Sequence, residues 1–314
     1  MLKIVFETLT PLHISNGNDL AYNLEYVFRN NELVSKLNLN KVSKILAKQG
    51  VFNFRKNYKF DEIIKIIDEN KKFFDSSCFE YEIQCEDSFI SFMRSEKRNG
   101  QKIIKEFINS NGKFYIPASS IKGMLTTILD RNPEINPLGI NPSNPNMNDK
   151  FVITDSDFID SDNFIVETVQ RPPSINLITL NPGVEFTVTI RKMGNLSVKE
   201  LRNKLSNYSF KQYKKAKEIL LKFKNIEKKP GGATLYYNFI ETFQPAFDQP
   251  DEVYLVNLGF GGGSYYKLYS SAPIPKFKNP GRHGKQEEAH TTFLSNVENN
   301  YYQLGWCKLT IEEE

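Results

Sequence analysis

Cysteine is scarce in this chain: Cys78, Cys85 and Cys307 are the only three among 314 residues. Their spacing fits no metal-ligand pattern, and an odd number of thiols leaves one over from any pairing. The chain therefore reads as one for a reducing compartment, the cytoplasm, with no disulfide framework. Histidine is equally rare, and His13, His283 and His290 lie far apart. No HExxH and no Ser/His/Asp motif occurs, so no catalytic constellation assembles from the sequence. Apolar runs of membrane-spanning length are missing, as is a signal-peptide pattern, which argues against membrane insertion and secretion. Neither sign of charge dominates. A net charge of +4 permits a polyanionic partner without demanding one. What remains is ordinary globular composition, in a chain long enough for two domains or one large one.

The most informative stretch is Phe114 to Arg131. Phe114, Tyr115 and Ile116 favour a strand, and Pro117 ends it because it lacks an N–H. Ser119 and Ser120 are natural N-cap residues. Ile121, Met124, Leu125, Ile128 and Leu129 then recur at helical spacing on one apolar face. Lys122 and Gly123 are expected in the first turn of that helix. A cation there opposes the helix dipole, and a glycine there lowers helix stability. Both choices make sense if an anion such as a phosphate lies against the turn, meeting backbone N–H groups and Lys122. The alternative is a buried helix whose first turn carries a solvated lysine.

Taken in order, Leu2–Leu9 alternates as a strand and enters a turn-rich loop, Pro11-Leu12-His13-Ile14-Ser15-Asn16-Gly17-Asn18. His13 and Asn16 could donate to phosphate or 2′-OH groups, or the Ser and Asn side chains could satisfy their own turn. A hairpin-like pair (24–28 and 32–34) and helices over 41–48 and 61–74 follow. One or two strands are expected within 79–92, and a strand over 102–108 turns at Asn111-Gly112. Residues 131–150 read as a long surface loop. A short strand, 151–154, ends in Asp155, Asp157, Asp160 and Asp162. These lack the glycine and terminal glutamate of a calcium loop and read as a solvent-facing strand end. Strands over 164–170 and 184–191 precede a capping-box helix (197–205) and a lysine-coated amphipathic helix (210–226). A strand near 255–258 leads to Gly259-Phe260-Gly261-Gly262-Gly263-Ser264-Tyr265-Tyr266-Lys267. So dense a glycine run implies positive φ or close backbone approach, yet it matches neither a phosphate-binding P-loop nor a dinucleotide fingerprint. A strand around Trp306 closes the chain. The element order suggests an α+β fold of two ferredoxin-like (RRM-like) modules with insertions, divided as 1–160 and 161–314.

Three stretches carry a family resemblance. YIPASSIKGMLTTIL resembles the strand–turn–helix of the RAMP superfamily of CRISPR effector proteins, and LGFGGGSYYKLYS resembles its C-terminal glycine-rich loop. PLHISNGNDLAYNLEYVF, with the closing LGWCKL, resembles one group within it, the fifth subunit of the type III-A (Csm) complex. The chain departs from the pattern at Ala118, where glycine is usual, and at Thr126-Thr127, where an arginine often follows. The resemblance implies a ferredoxin-like RAMP fold and a CRISPR RNA-binding subunit. It would cap one end of the effector filament, hold the 3′ region of the guide RNA, and support guide maturation by recruiting trimming nucleases. Its partners would be guide RNA and the backbone and other subunits, with no membrane. No loop aspartate matches the one with which the backbone subunit cuts RNA, so no enzymatic activity, metal or cofactor is expected. The RNA-binding residues implied are His13, Asn16, Ser119, Ser120, Lys122, Gly123, Gly259, Gly261, Gly262, Gly263 and Lys267. Two alternatives stay open: a repeat-processing RAMP endoribonuclease with His13 as acid or base, and a backbone subunit of the same complex.

Overall fold

A computed structural model describes residues 1–95, 102–130, 151–169, 174–194, 196–223, 252–260, 276–278, 286–288, 294–297 and 300–313. The strands, in chain order, begin with β1 (Leu2–Thr8), β2 (Ser15–Ala21), β3 (Tyr26–Arg29), β4 (Leu33–Leu37), β5 (Phe79–Cys85) and β6 (Ile103–Phe107). They continue with β7 (Asn109–Ser110), β8 (Lys113–Phe114), β9 (Phe151–Ile153), β10 (Phe164–Val169), β11 (Ile175–Leu180) and β12 (Glu185–Met193). The last are β13 (Val253–Asn257), β14 (Lys276–Lys278), β15 (Gln286–Glu288), β16 (Leu294–Val297), β17 (Asn300–Gln303) and β18 (Trp306–Glu313). The helices are α1 (Leu39–Lys48), α2 (Phe60–Asn70), α3 (Asp87–Arg94), α4 (Ala118–Asp130) and α5 (Val198–Phe223). The fold is mixed α+β. Among the described residues no helix is long and apolar enough to cross a membrane. All three cysteines are free thiols.

The chain forms two compact units that interleave along the sequence. One comprises 1–14, 115–157 and 180–314; the other comprises 15–114 and 158–179. A single division at residue 160 therefore does not describe them. The reason is strand pairing: β1 lies between β12 and β18, so the first and last strands of the chain share one sheet.

In the first unit the sheet runs β13-β18-β1-β12-β9, and every pair is antiparallel. Helix α4 precedes β9, and α5 lies between β12 and β13. Numbering β1, β9, β12 and β18 as one to four gives the spatial order 4-1-3-2, with β13 added at the edge. The alternation read in β1 holds: Leu2, Ile4, Phe6 and Thr8 are buried and their neighbours are half-buried. Phe6 faces Phe186 across the ladder, and the two rings stack at 4.9 Å. Such a cross-strand aromatic pair fixes register as well as adding packing. Helix α5 covers the β13 edge: Ser209 Oγ accepts from the Leu255 N–H at 2.8 Å and donates to the Leu255 carbonyl at 3.2 Å. The two helices expected over 197–226 are one helix of 26 residues. Among its described side chains Leu201, Leu205, Tyr208 and Gln212 are buried and Tyr213 is half-buried; Ala216, Leu220 and Phe223 of the expected face lie outside the described side chains.

The second unit carries a seven-stranded mixed sheet, β2-β6-β11-β10-β5-β4-β3, with β5–β10 and β6–β11 parallel. This order differs from that of the first unit, so the expected second module of the same design does not appear in its pairing. Phe107, Phe114 and Phe164 form its aromatic core, with ring centroids 4.3 to 6.1 Å apart. A lobe of α1 and α2 packs Val42, Leu46 and Ile67 against Val27, Leu37, Phe74, Cys78 and Phe79. Of the stretch 79–92, where one or two strands are expected, 79–85 is strand β5, and residues 87–94 are helix α3, which buries Phe89 and Met93. The apparent loop from Ser15 is strand β2, bulged between Ser15 and Asp19 against β6. The strand β11 was not anticipated.

Candidate nucleic-acid interface

The apolar face of α4 is the one its spacing predicts: Ile121, Met124, Leu125, Ile128 and Leu129 are all buried. Its start differs. The helix begins at Ala118, so Ser119 and Ser120 lie inside it and neither is the N-cap. The free donors of the first turn are mostly taken. Ala118 N–H donates to Asp155 Oδ1 at 2.7 Å, and Ser120 N–H to the Pro117 carbonyl at 2.9 Å. The segment after β9 thus straps the turn, with Ile116 N–H also bonded to Ser156 Oγ at 2.8 Å. Asp155 is therefore a capping group supplied from elsewhere in the chain, and its carboxylate holds the position an external anion would seek. The aspartates read as a plain strand end include this one tie.

Lys122 and Gly123 consequently fall in the second turn. Ser119 and Gly123 are exposed, and Lys122 and Thr126 are half-buried, so these four residues form a polar stripe opposite the core face. Among the described residues Lys122 makes no ion pair. A Cβ built on Gly123 would meet nothing within 4 Å. No packing among the described residues asks for glycine there. Thr127 Oγ1 donates to the Gly123 carbonyl at 2.8 Å, which leaves the outward side of the turn open.

Gly259 is different. Its φ is +76°, and an added Cβ would fall on the His13 carbonyl and on Leu12 Cδ1. The close approach that glycine allows here is to the chain itself. Phe260 N–H donates to the His13 carbonyl at 2.8 Å, and the two rings meet edge to face at 5.7 Å. Neighbouring bonds join the same segments: Leu258 N–H to Gly305 O at 2.7 Å, Gly305 N–H to Pro11 O at 2.9 Å, and Leu12 with Leu180 in both directions. Pieces of three sequence motifs, Pro11–Ile14, Leu258–Phe260 and Leu304–Trp306, are thereby knitted together. His13 is fully buried in this knot, not presented at an open loop apex. Gly261, Gly262, Gly263 and Lys267 lie outside the described residues.

Asn16 lies in the bulge of β2. Its Oδ1 accepts from Asn18 N–H at 2.8 Å, and Ser15 Oγ accepts from Gly17 N–H at 2.9 Å, the local turn satisfaction that its composition allowed. Its Nδ2 donates to Glu106 Oε2 at 2.7 Å. Glu106 is almost wholly buried and also receives Lys36 Nζ at 2.7 Å and Tyr81 Oη at 2.8 Å. Two strands, β11 and β10, separate β6 from β5 in the sheet, so the Tyr81–Glu106 bond records how far the sheet curls. Burial works to raise the Glu106 carboxyl, but the bonds from Lys36, Asn16 and Tyr81 outweigh it and hold the group below the usual carboxylate range. Burial, then the Glu106 charge, pushes the Tyr81 phenol well up. Sequence reading missed this network because its members come from four strands. A buried glutamate leaves no local signal beyond a charge in an apolar alternation.

Among known families, the RAMP superfamily matches the chain over residues 5–265. No curated protein matches it. Among solved structures, a chain of a Csm–crRNA–target RNA ternary complex from a type III-A CRISPR-Cas system is similar at 16% identity and a TM-score of 0.58, covering 99% of this chain and 100% of that one. Csm5 of T. onnurineus is similar at 14% identity and a TM-score of 0.55, covering 98% and 99%. At these identities the likeness is one of fold.

Proposed function

The chain belongs to the RAMP superfamily, and from that premise we propose that it is a non-catalytic, guide RNA-binding subunit of a type III-A effector complex. It caps one end of the filament, holds the 3′ region of the guide and supports guide maturation with trimming nucleases, all in the cytoplasm. One observation carries the reading: the similarity to Csm5 covers 98% of this chain and 99% of that one. In this reading the first unit is a ferredoxin-like module, supported by its 4-1-3-2 antiparallel order. RNA lies along the outward stripe of α4, with Lys122 against a phosphate and Gly123 admitting the backbone. Gly261, Gly262, Gly263 and Lys267, which lie outside the described residues, are further RNA contacts on their sequence alone. Gly259 and His13 serve by holding the segment that leads to them. The endoribonuclease alternative gains nothing from a His13 ring that is fully buried.

Native mass spectrometry of the co-expressed complex with its RNA tests the assignment. One copy per complex, neighbouring a repeated subunit, is the expected result; several copies would make the chain a backbone subunit. Lys122→Ala tests the RNA contact. It should keep the fold and reduce the log K versus log salt slope by about 0.7, the share of one phosphate on a single strand. An unchanged slope would remove Lys122 from the interface.

A further inference from the structure

The lobe between β4 and β5 carries a feature that the α4 stripe does not explain. Between α1 and α2 the chain reads Val51-Phe52-Asn53-Phe54-Arg55-Lys56-Asn57-Tyr58-Lys59-Phe60, in which cations alternate with aromatics and no acidic residue occurs. The loop is tightly built. Val51 and Phe52 N–H groups donate to the Leu46 carbonyl at 3.0 and 3.2 Å, Arg55 N–H to Asn53 Oδ1 at 2.9 Å, and Asn53 N–H to Tyr58 Oη at 3.0 Å. Phe52 packs against the lobe core and stacks on Tyr58, with centroids 4.9 Å apart and planes 14° from parallel. Above this base Phe54 sits edge-on to Phe52 and stays 66% exposed, and Phe60 is 54% exposed. The Lys56 ammonium lies 4.7 Å from the Tyr58 ring centre. The pairing recurs after α2, where Lys72 lies 5.1 Å over the ring of exposed Phe73.

Exposed aromatic rings on an ordered support, with cations interleaved among them in the chain, are what sites for unpaired nucleic acid combine: rings for bases and charges for phosphates. A protein-binding patch of this size would be depleted of lysine at its centre. We propose that the loop Val51–Phe60 is a stacking platform for an unpaired stretch of RNA, with Phe54 and Phe60 against bases and Arg55, Lys56 and Lys59 along the phosphates. The choice of RNA as the polyanion rests on the functional reading above; the platform itself uses nothing of α4.

The test is Phe54→Trp in the full chain. The native tryptophan, Trp306, is fully buried and gives a constant background, whereas an indole at position 54 reports stacking directly. Oligouridylate should quench it saturably and less tightly as salt rises. Heparin, a polyanion without bases, should displace the RNA without quenching. Adding Phe60→Ala should weaken half-saturation by roughly fivefold or more, the loss of one stacked base. Anisotropy of labelled RNA is recorded in the same titration, beside Lys122→Ala. RNA bound with no quenching overturns the platform and leaves the α4 contact standing. Quenching with no effect of Lys122→Ala does the reverse. Quenching by a co-expressed protein subunit but not by RNA would make the loop a protein-docking surface and overturn the proposal.

Discussion

Replacing Gly123 by alanine separates a functional glycine from an ordinary helix defect. Gly123 lies in the sixth position of α4, on its exposed side, in helical backbone, with open space where the Cβ would go. Nothing among the described residues resists the methyl group, and the Thr127 bond to the Gly123 carbonyl is untouched by it. Alanine in an exposed helix interior is better than glycine by about 0.8–1.0 kcal/mol, mostly through the entropy of the unfolded chain. Thermal melting should therefore rise by about 2–4 °C, taking the sensitivity of larger domains. RNA binding should move the other way. A methyl group between the helix and a phosphate removes a close, charge-assisted contact, worth about 1.5–3 kcal/mol, so affinity should fall about tenfold or more. Melting by circular dichroism and anisotropy with single-stranded RNA at several salt concentrations give both numbers on one preparation. A variant that is more stable and binds RNA as well as before would refute the reasoning, because the glycine would then have no ligand to serve.

Gly259→Ala should behave oppositely, losing roughly 2 kcal/mol or more, because a left-handed φ and a collision with the His13 carbonyl act together; urea unfolding that matches wild type would contradict the close approach. Asp155→Ala should lower stability by about 1 kcal/mol through loss of the α4 cap. If the freed Ala118 N–H attracts phosphate, RNA affinity should rise slightly as stability falls, and a parallel loss of both would show that the capped geometry is what RNA needs. Glu106→Ala should cost about 3 kcal/mol, the lower end for a broken buried pair, since Lys36 keeps Glu80 at 3.9 Å and is 17% exposed. The folded-state pKa of Glu106 lies below its unfolded value of about 4.5, so its contribution is present above that pH and fades as pH falls through the folded pKa. Chemical unfolding of wild type and variant from pH 7 to pH 3 should therefore converge in acid; a gap that widens there would reverse the assignment.

Much of the architecture was legible because it is written locally. The alternation of β1, the i, i+3, i+4 face of α4, the Ser197–Glu200 capping box and the turn at Asn111-Gly112 each depend on residues within a few positions. All appear in the structure, the capping box with Ser197 N–H on Glu200 Oε2 at 2.8 Å and both turn residues with positive φ. What failed depended on distant partners. Within 79–92 one strand does form, at 79–85; the apolar side chains of 87–94 suit strand or helix equally, and tertiary packing of Phe89 and Met93 decides for helix. The start of α4 could not be read from its serines, because the group that caps it, Asp155, enters from beyond β9. The interleaving of the two units was invisible for the same reason, since no local pattern announces that the last strand will pair with the first.

The site divides along the same line. Glycine at 259 and glycine at 123 look alike in sequence, as residues chosen against backbone entropy. The structure gives them different reasons. Gly259 is required by the His13 carbonyl, and the segments around it form a knot in which Leu12, His13, Leu258 and Trp306 are buried. That knot accounts for the most recognisable motifs of the chain as architecture: their residues bond to one another before any ligand arrives. Gly123 has no such reason, and Lys122 beside it has no ion pair among the described residues. A residue that matters to the fold has its partner in the free chain, whereas one that matters to a ligand shows as an unexplained choice. By that criterion the proposed RNA contact is assigned to the outward stripe of α4 and not to the buried histidine. The exposed rings of Phe54 and Phe60 are the other place where the chain accepts a local penalty that its own packing does not repay.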